Sequence, residues 1–124
     1  MKIFLIDDNT IDLLISRKLL LKHDSELTII EFSKAQEAVA ALQNSSEALP
    51  DLVLLDLNMP GMNGWEFLDA VKPLDRPPER VFILTSSLDE RDKAMATEYP
   101  SVKGYITKPL NTESITKALG SSSD

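Results

Sequence analysis

Residues 52–64 read Leu-Val-Leu-Leu-Asp-Leu-Asn-Met-Pro-Gly-Met-Asn-Gly. The aliphatic run that opens this stretch is too short for a helix and has no polar position for a wet face. It therefore reads as a strand covered on both sides, as strands of a parallel sheet are. Asp56 follows at once, and Asn58, Pro60, Gly61, Asn63 and Gly64 are turn formers. A carboxylate thus stands at the carboxyl end of a buried strand.

Outward from this stretch, residues 3–6, 27–32, 81–84 and 105–106 are further candidate strands, the last being the shortest. Between them, Ile11, Leu14, Ile15 and Leu19 recur at helical spacing, as do Ala38, Ala41 and Leu42, then Phe67, Leu68 and Val71. This spacing predicts helices that pack on a sheet. Ser33 with Gln36, and Ser87 with Glu90, have capping-box spacing, and Asn111 is placed to cap a short last helix over residues 112–119. The Pro-rich residues 73–78 join two apolar runs that one core needs, so they are a connection within a domain. Five strand–helix units of this kind predict an α/β fold, a doubly wound five-stranded parallel sheet with helices on both faces.

A chain of 124 residues and 13.8 kDa is the size of one domain. Twenty acidic against thirteen basic side chains give a net charge of -7, which opposes nucleic acid and anionic membrane surfaces, and no basic cluster offsets it. The absence of cysteine excludes disulfides, thiolate nucleophiles and zinc–thiolate sites. No apolar run approaches a membrane span and no targeting segment is evident, a pattern that predicts a cytoplasmic protein.

In a doubly wound sheet, functional groups gather beyond the carboxyl ends of the strands. Asp7 and Asp8 follow the first strand, Asp56 the third and Lys108 the fifth, while Thr85 ends the fourth. Taken singly these are ordinary: an acidic pair that caps a helix, an aspartate in a turn, a loop lysine before Pro109, a threonine with β-propensity. Together they place three carboxylates where they repel one another unless a cation sits among them. With oxygen ligands alone that cation is Mg²⁺, or Mn²⁺ or Ca²⁺. A fixed carboxylate beside a metal suits an aspartyl-phosphate nucleophile, with Lys108 and Thr85 replacing solvent around the transferring group.

Asp7-Asp8, Asp56 with residues 57–64, Thr85, and Gly104-Tyr105-Ile106-Thr107-Lys108-Pro109 together resemble the signature of response regulator receiver domains. The resemblance implies a receiver domain over residues 1–120, a disordered tail at 121–124 and the flavodoxin-like strand order 2-1-3-4-5. It implies that Asp56 is phosphorylated, that Asp8 ligates the metal directly and Asp7 directly or through water, and that Asn58 offers its backbone carbonyl. Lys108 would pair with the phosphoryl group, Thr85 would move towards it, and Tyr105 would change rotamer. The Lys108–Pro109 peptide would be cis. Among Thr85, Ser86 and Ser87, Thr85 is favoured as the switch hydroxyl because residues 82–84 lead straight into it.

The implied donor is a sensor histidine kinase or a histidine phosphotransfer protein. Slow hydrolysis would follow, so the chain is a signalling phosphoacceptor and no enzyme in any wider sense. Output would pass through the surface of the fourth helix, fifth strand and fifth helix to an unknown downstream protein. Tyr99-Pro100-Ser101-Val102-Lys103 departs from the small-residue turn usual before the fifth strand, and the last helix is short. His23, the single histidine, suits a helix C-terminus; Trp65 and Phe67 read as partly core, Met59 and Met62 as loop packing.

Three other functions compete. A haloacid-dehalogenase-type phosphatase wants a second aspartate where Asn58 stands. A flavodoxin-like electron carrier would have its flavin phosphate repelled by Asp7 and Asp8. A phosphate-independent receiver-like interaction module remains the alternative, against which the complete acidic triad and Lys108 argue.

Overall fold

The computed structural model describes residues 1–44, 48–86 and 89–120. Strands and helices alternate: β1 (Lys2–Ile6), α1 (Thr10–His23), β2 (Thr28–Phe32), α2 (Ala35–Gln43), β3 (Leu52–Leu55), α3 (Gly64–Val71), β4 (Val81–Thr85), α4 (Glu90–Ala96), β5 (Val102–Thr107) and α5 (Thr112–Leu119). All strand pairs are parallel, in the order β2-β1-β3-β4-β5. The expected fold and strand order are therefore those observed, and Ser87 and the tail at 121–124 lie outside the described residues.

Side-chain alternation along each strand divides the core into two layers. Ile3, Leu5, Leu52, Leu54, Phe82 and Leu84 point to one face, where Leu13 and Leu20 of α1 and Ile115 and Ala118 of α5 cover them. Phe4, Ile6, Val53, Leu55 and Val81 point to the other, against Ala38 and Leu42 of α2 and Phe67, Leu68 and Val71 of α3. Leu57, Ile83 and Ala96 extend that second layer under α4. Every residue of β3 and β4 is buried, whereas the edge strands β2 and β5 are partly exposed.

β5 is three times the length its apolar residues suggest, six residues in place of two. Lys103 and Gly104 break its apolar reading, yet Gly104 pairs with Phe82. A Cβ at Gly104 would lie 2.7 Å from Phe82 Cε2, so the strand is closed by a ring that needs the glycine's empty side.

The helix signals need three corrections. Ile11, Leu14 and Ile15 are 67%, 51% and 41% exposed, and α1 instead buries Leu13, Ser16 and Leu20, with Leu19 partly buried. α1 carries leucine or isoleucine on every face, so spacing alone could not choose the inward one. Ser33 does not cap α2: the N-cap is Lys34, one residue later, and its side chain makes no capping bond. α4 is capped by Asp89, which forms a reciprocal box with Asp92, in place of the expected Ser87 box. Asn111 caps α5 as expected, with Ser114 returning the bond. The other end of α5 is held by Arg80, whose Nε and Nη2 donate to the carbonyls of Ala118 and Lys117 at 2.8 and 3.0 Å. Those bonds add to the Gly120 N–H, which also donates to the Lys117 carbonyl at 3.2 Å, in satisfying the carbonyls at the end of a short helix.

Phe67 is fully buried between α3 and the sheet. Phe67→Ala is expected to destabilise the fold by about 3–5 kcal/mol, read as a lower urea midpoint with an unchanged slope.

Candidate functional site

The buried polar side chains among the described residues are Asp7, Ser16, Asp56 and Thr85. Three of these four stand at the carboxyl ends of the central strands β1, β3 and β4. Burial of a polar group needs compensation, so the sheet edge is where this fold tolerates an electrostatic load.

The sheet ladders continue past the strand ends and fix the backbone there. Asp7 N–H donates to the Phe32 carbonyl (3.0 Å), Asp56 N–H to that of Ile6 (2.9 Å), and Lys108 N–H to that of Thr85 (2.7 Å). The same local device then orients both buried carboxylates. Asp7 Oδ1 accepts from Asn9 N–H at 3.0 Å and Asp56 Oδ1 from Asn58 N–H at 3.1 Å, each two residues on. Each Oδ2 is left for Lys108, whose Nζ lies 2.6 Å from Asp7 Oδ2, 2.9 Å from Asp12 Oδ2 and 3.4 Å from Asp56 Oδ2.

Asp8 is exposed, and one oxygen each from Asp7, Asp8 and Asp56 lie within 4.8 Å of one another. An all-oxygen, carboxylate-rich set at that spacing fits a hard divalent cation. The loop beyond Asp56 is pinned by α3: Gly64 N–H donates to the Leu57 carbonyl at 3.1 Å, and Asn63 with Glu66 forms a capping box. A Cβ on Gly64 would lie 2.9 Å from the Asp56 carbonyl oxygen and 2.9 Å from Leu57 Cα, so the helix approaches this backbone as closely as a glycine allows.

Burial pushes the Asp56 carboxyl up to about 6, aided by the neighbouring Asp7 charge and opposed by the Asn58 N–H and Lys108. Burial alone would lower the Lys108 ammonium, but its bonds to Asp7 and Asp12 and the charge of Asp56 outweigh that and hold it well above the ordinary lysine range. One fixed cation thus serves several carboxylates and leaves the site short of positive charge.

The structure brings Asp7, Asp8, Asp56 and Lys108 into one cluster. Thr85 is fully buried at the end of β4, Ser86 beside it is exposed, and the Lys108–Pro109 peptide is cis. Asn58 is exposed. Tyr105 is half-buried and lines a pocket with Ala96, Thr97, Val102 and Lys117, between α4, β5 and α5. Trp65 stacks on Tyr99 at 5.6 Å, and Tyr99 Oη donates to Asp69 at 2.8 Å. His23 ends α1 and is exposed.

Asp12 was missed by sequence reasoning. An acid in the first turn of a helix reads as a complement to the helix dipole, and nothing in the local spacing links it to Lys108.

A family model, that of the response regulator receiver domain, matches residues 3–120. The chain belongs to this family. It is 34% identical over 118 residues to the nitrate/nitrite response regulator protein NarL of Escherichia coli (strain K12), covering 94% of this chain and 52% of that protein. The receiver domain thus spans about half the length of that relative. A crystal structure of a two component response regulator from Cytophaga hutchinsonii superposes with a TM-score of 0.88 at 28% identity, covering 97% of this chain and 94% of that one. The Mn²⁺-bound form of response regulator Rcp1 gives 0.76 at 28% identity, over 96% of this chain and 89% of that one. No helix among the described residues is long and apolar enough to cross a membrane.

Because the folded receiver domain holds the Asp56 proton to about pH 6, against 3.8 for an ordinary aspartate, it binds more protons than the unfolded chain between those values. Stability therefore falls as pH rises through that window. Asp56→Asn, measured without divalent cations, is expected to raise the melting temperature at pH 7.5. The gain should shrink at pH 5, where wild-type Asp56 is already protonated.

Proposed function

We propose that Asp56 accepts a phosphoryl group from a histidine of a sensor histidine kinase or histidine phosphotransfer protein, in a Mg²⁺-dependent reaction. The observation that carries this reading is Asp56 itself: a buried carboxylate with one oxygen fixed by the Asn58 N–H and the other beside Lys108, inside an acidic triad. Asp7, Asp8, Asp56 and the Asn58 backbone carbonyl would hold Mg²⁺, for which Mn²⁺ or Ca²⁺ can substitute. When bound, the ion supplies neutralisation of the phosphoryl and carboxylate charge.

An Asp56 oxygen attacks phosphorus, the P–N bond to the donor imidazole breaks, and its electron pair leaves with the ring. Lys108 donates to a phosphoryl oxygen that gains charge as the group transfers. The acyl phosphate is later hydrolysed, so the chain catalyses its own phosphorylation and dephosphorylation and acts as a signalling protein.

After transfer, the Thr85 hydroxyl turns to the phosphoryl group and Tyr105 follows by a rotamer change. The Tyr105 pocket on the face of α4, β5 and α5 supports this as the surface read by a downstream protein. The solvent-facing strip of Ile11, Leu14 and Ile15 borders the site, Ile15 lining a pocket with Lys108 and Pro109, and offers the donor protein an apolar footing. The chain's acidic balance argues against a nucleic acid or membrane partner for this domain, and a cytoplasmic setting fits such a relay.

Incubation with acetyl phosphate should add a single phosphoryl group to the intact mass of wild type, only with Mg²⁺, and none to Asp56→Ala. A folded protein that takes no adduct under any condition would instead favour the phosphate-independent interaction module.

A further inference from the structure

Asp12 lies outside the triad of Asp7, Asp8 and Asp56, yet its carboxylate is nearer to Lys108 Nζ, at 2.9 Å, than that of Asp56 at 3.4 Å. An ammonium has three N–H donors, and the structure gives this one three carboxylate acceptors. Two of them, Asp7 and Asp56, belong to the set that fits a divalent cation. A divalent ion at the triad draws on the charge of those two and repels the ammonium beside them. Asp12 is then the acceptor whose charge remains committed to Lys108.

The geometry is suited to that task. Asp12 is in the first turn of α1, its backbone N–H held by Asn9 Oδ1 at 3.0 Å, and the helix is anchored through buried Leu13. The Asp12 side chain is 34% exposed and that of Lys108 only 13%, so the pair lies at the rim of the site with the carboxylate on the outer side. Next to the pair is a pocket of about 180 Å³ lined by Asp12, Ile15, Ser16, Ser86, Lys108 and Pro109, space into which an unanchored lysine can swing.

We infer that Asp12 is the counterion that keeps Lys108 in the site while a divalent cation occupies the Asp7, Asp8 and Asp56 triad. It is a positioning residue acting through Lys108, and the role rests on the phosphoacceptor reading above. Asp12 also closes a loop of charge between α1 and the β5–α5 connection, elements 96 residues apart in the chain at this contact.

Acylation of Lys108 by an N-hydroxysuccinimide ester, followed by peptide mass spectrometry, tests this without reference to activity. At saturating Mg²⁺, Lys108 should stay protected in wild type and in Asp12→Glu, and become labelled about fivefold faster or more in Asp12→Asn. The rate of phosphorylation by acetyl phosphate should fall by a similar factor of about five in Asp12→Asn and recover in Asp12→Glu. Equal protection of Lys108 in Asp12→Asn and wild type, or an unchanged phosphorylation rate, overturns the role of Asp12. Failure of the phosphoacceptor reading shows separately, as a wild-type protein that takes no phosphoryl group.

Discussion

Like charge crowded into a buried edge is the constraint on which the rest of this structure turns. Asp7 and Asp56 sit side by side at the ends of adjacent strands, almost without solvent, and Lys108 reaches across from β5 to both. Burial favours the protonated form of Asp56 and moves its carboxyl to about 6 even with an ammonium at hand. The surrounding backbone is organised to hold the charges where they are. Ladder bonds fix the strand ends, an amide two residues on fixes one oxygen of each buried carboxylate, and α3 fixes the loop by resting Gly64 on the Asp56–Leu57 backbone. Held in this way, the carboxylates present a fixed site that favours positive charge without rearrangement.

The two faces of the domain contribute unequally. α1 serves the site directly, through Asn9 at its N-cap, Asp12 in its first turn and Ser16, which lines a pocket with Lys108 and Pro109. On the opposite face, Trp65 of α3 stacks on Tyr99, and Tyr99 donates to Asp69 of α3. Burial and the Asp69 carboxylate raise the Tyr99 phenol to about 12, so the bond persists across the physiological range. That clamp joins α3, which touches the Asp56 loop, to the turn that leads into β5 and Tyr105. Tyr99, ahead of β5, therefore has a structural role as an aromatic tie to α3.

The sequence by itself determined the alternation of strands and helices, the buried character of β3 and β4, and the collection of Asp7, Asp8, Asp56, Thr85 and Lys108 at one edge. These arise from local rules: an apolar run too short for a helix is a strand, and the residues just past the end of a parallel strand lie on the catalytic side of the sheet. The cap at Asn111 was legible for the same reason, since capping is decided within four residues.

Only the tertiary structure decided the rest, because long-range geometry chose among local equals. α1 offers apolar residues on every side, and the core selected Leu13 and Leu20 over Ile11 and Leu14. β5 contains a lysine and a glycine, and pairing with β4, against the ring of Phe82, made it six residues long. Asp12 looks like any acid in a first helical turn, and it entered the site because the chain returned Lys108 to within 2.9 Å of it from 96 residues away. A hydrogen bond between such distant residues leaves no trace in local spacing, so the charge partner of the site's lysine could be read only once the sheet had closed.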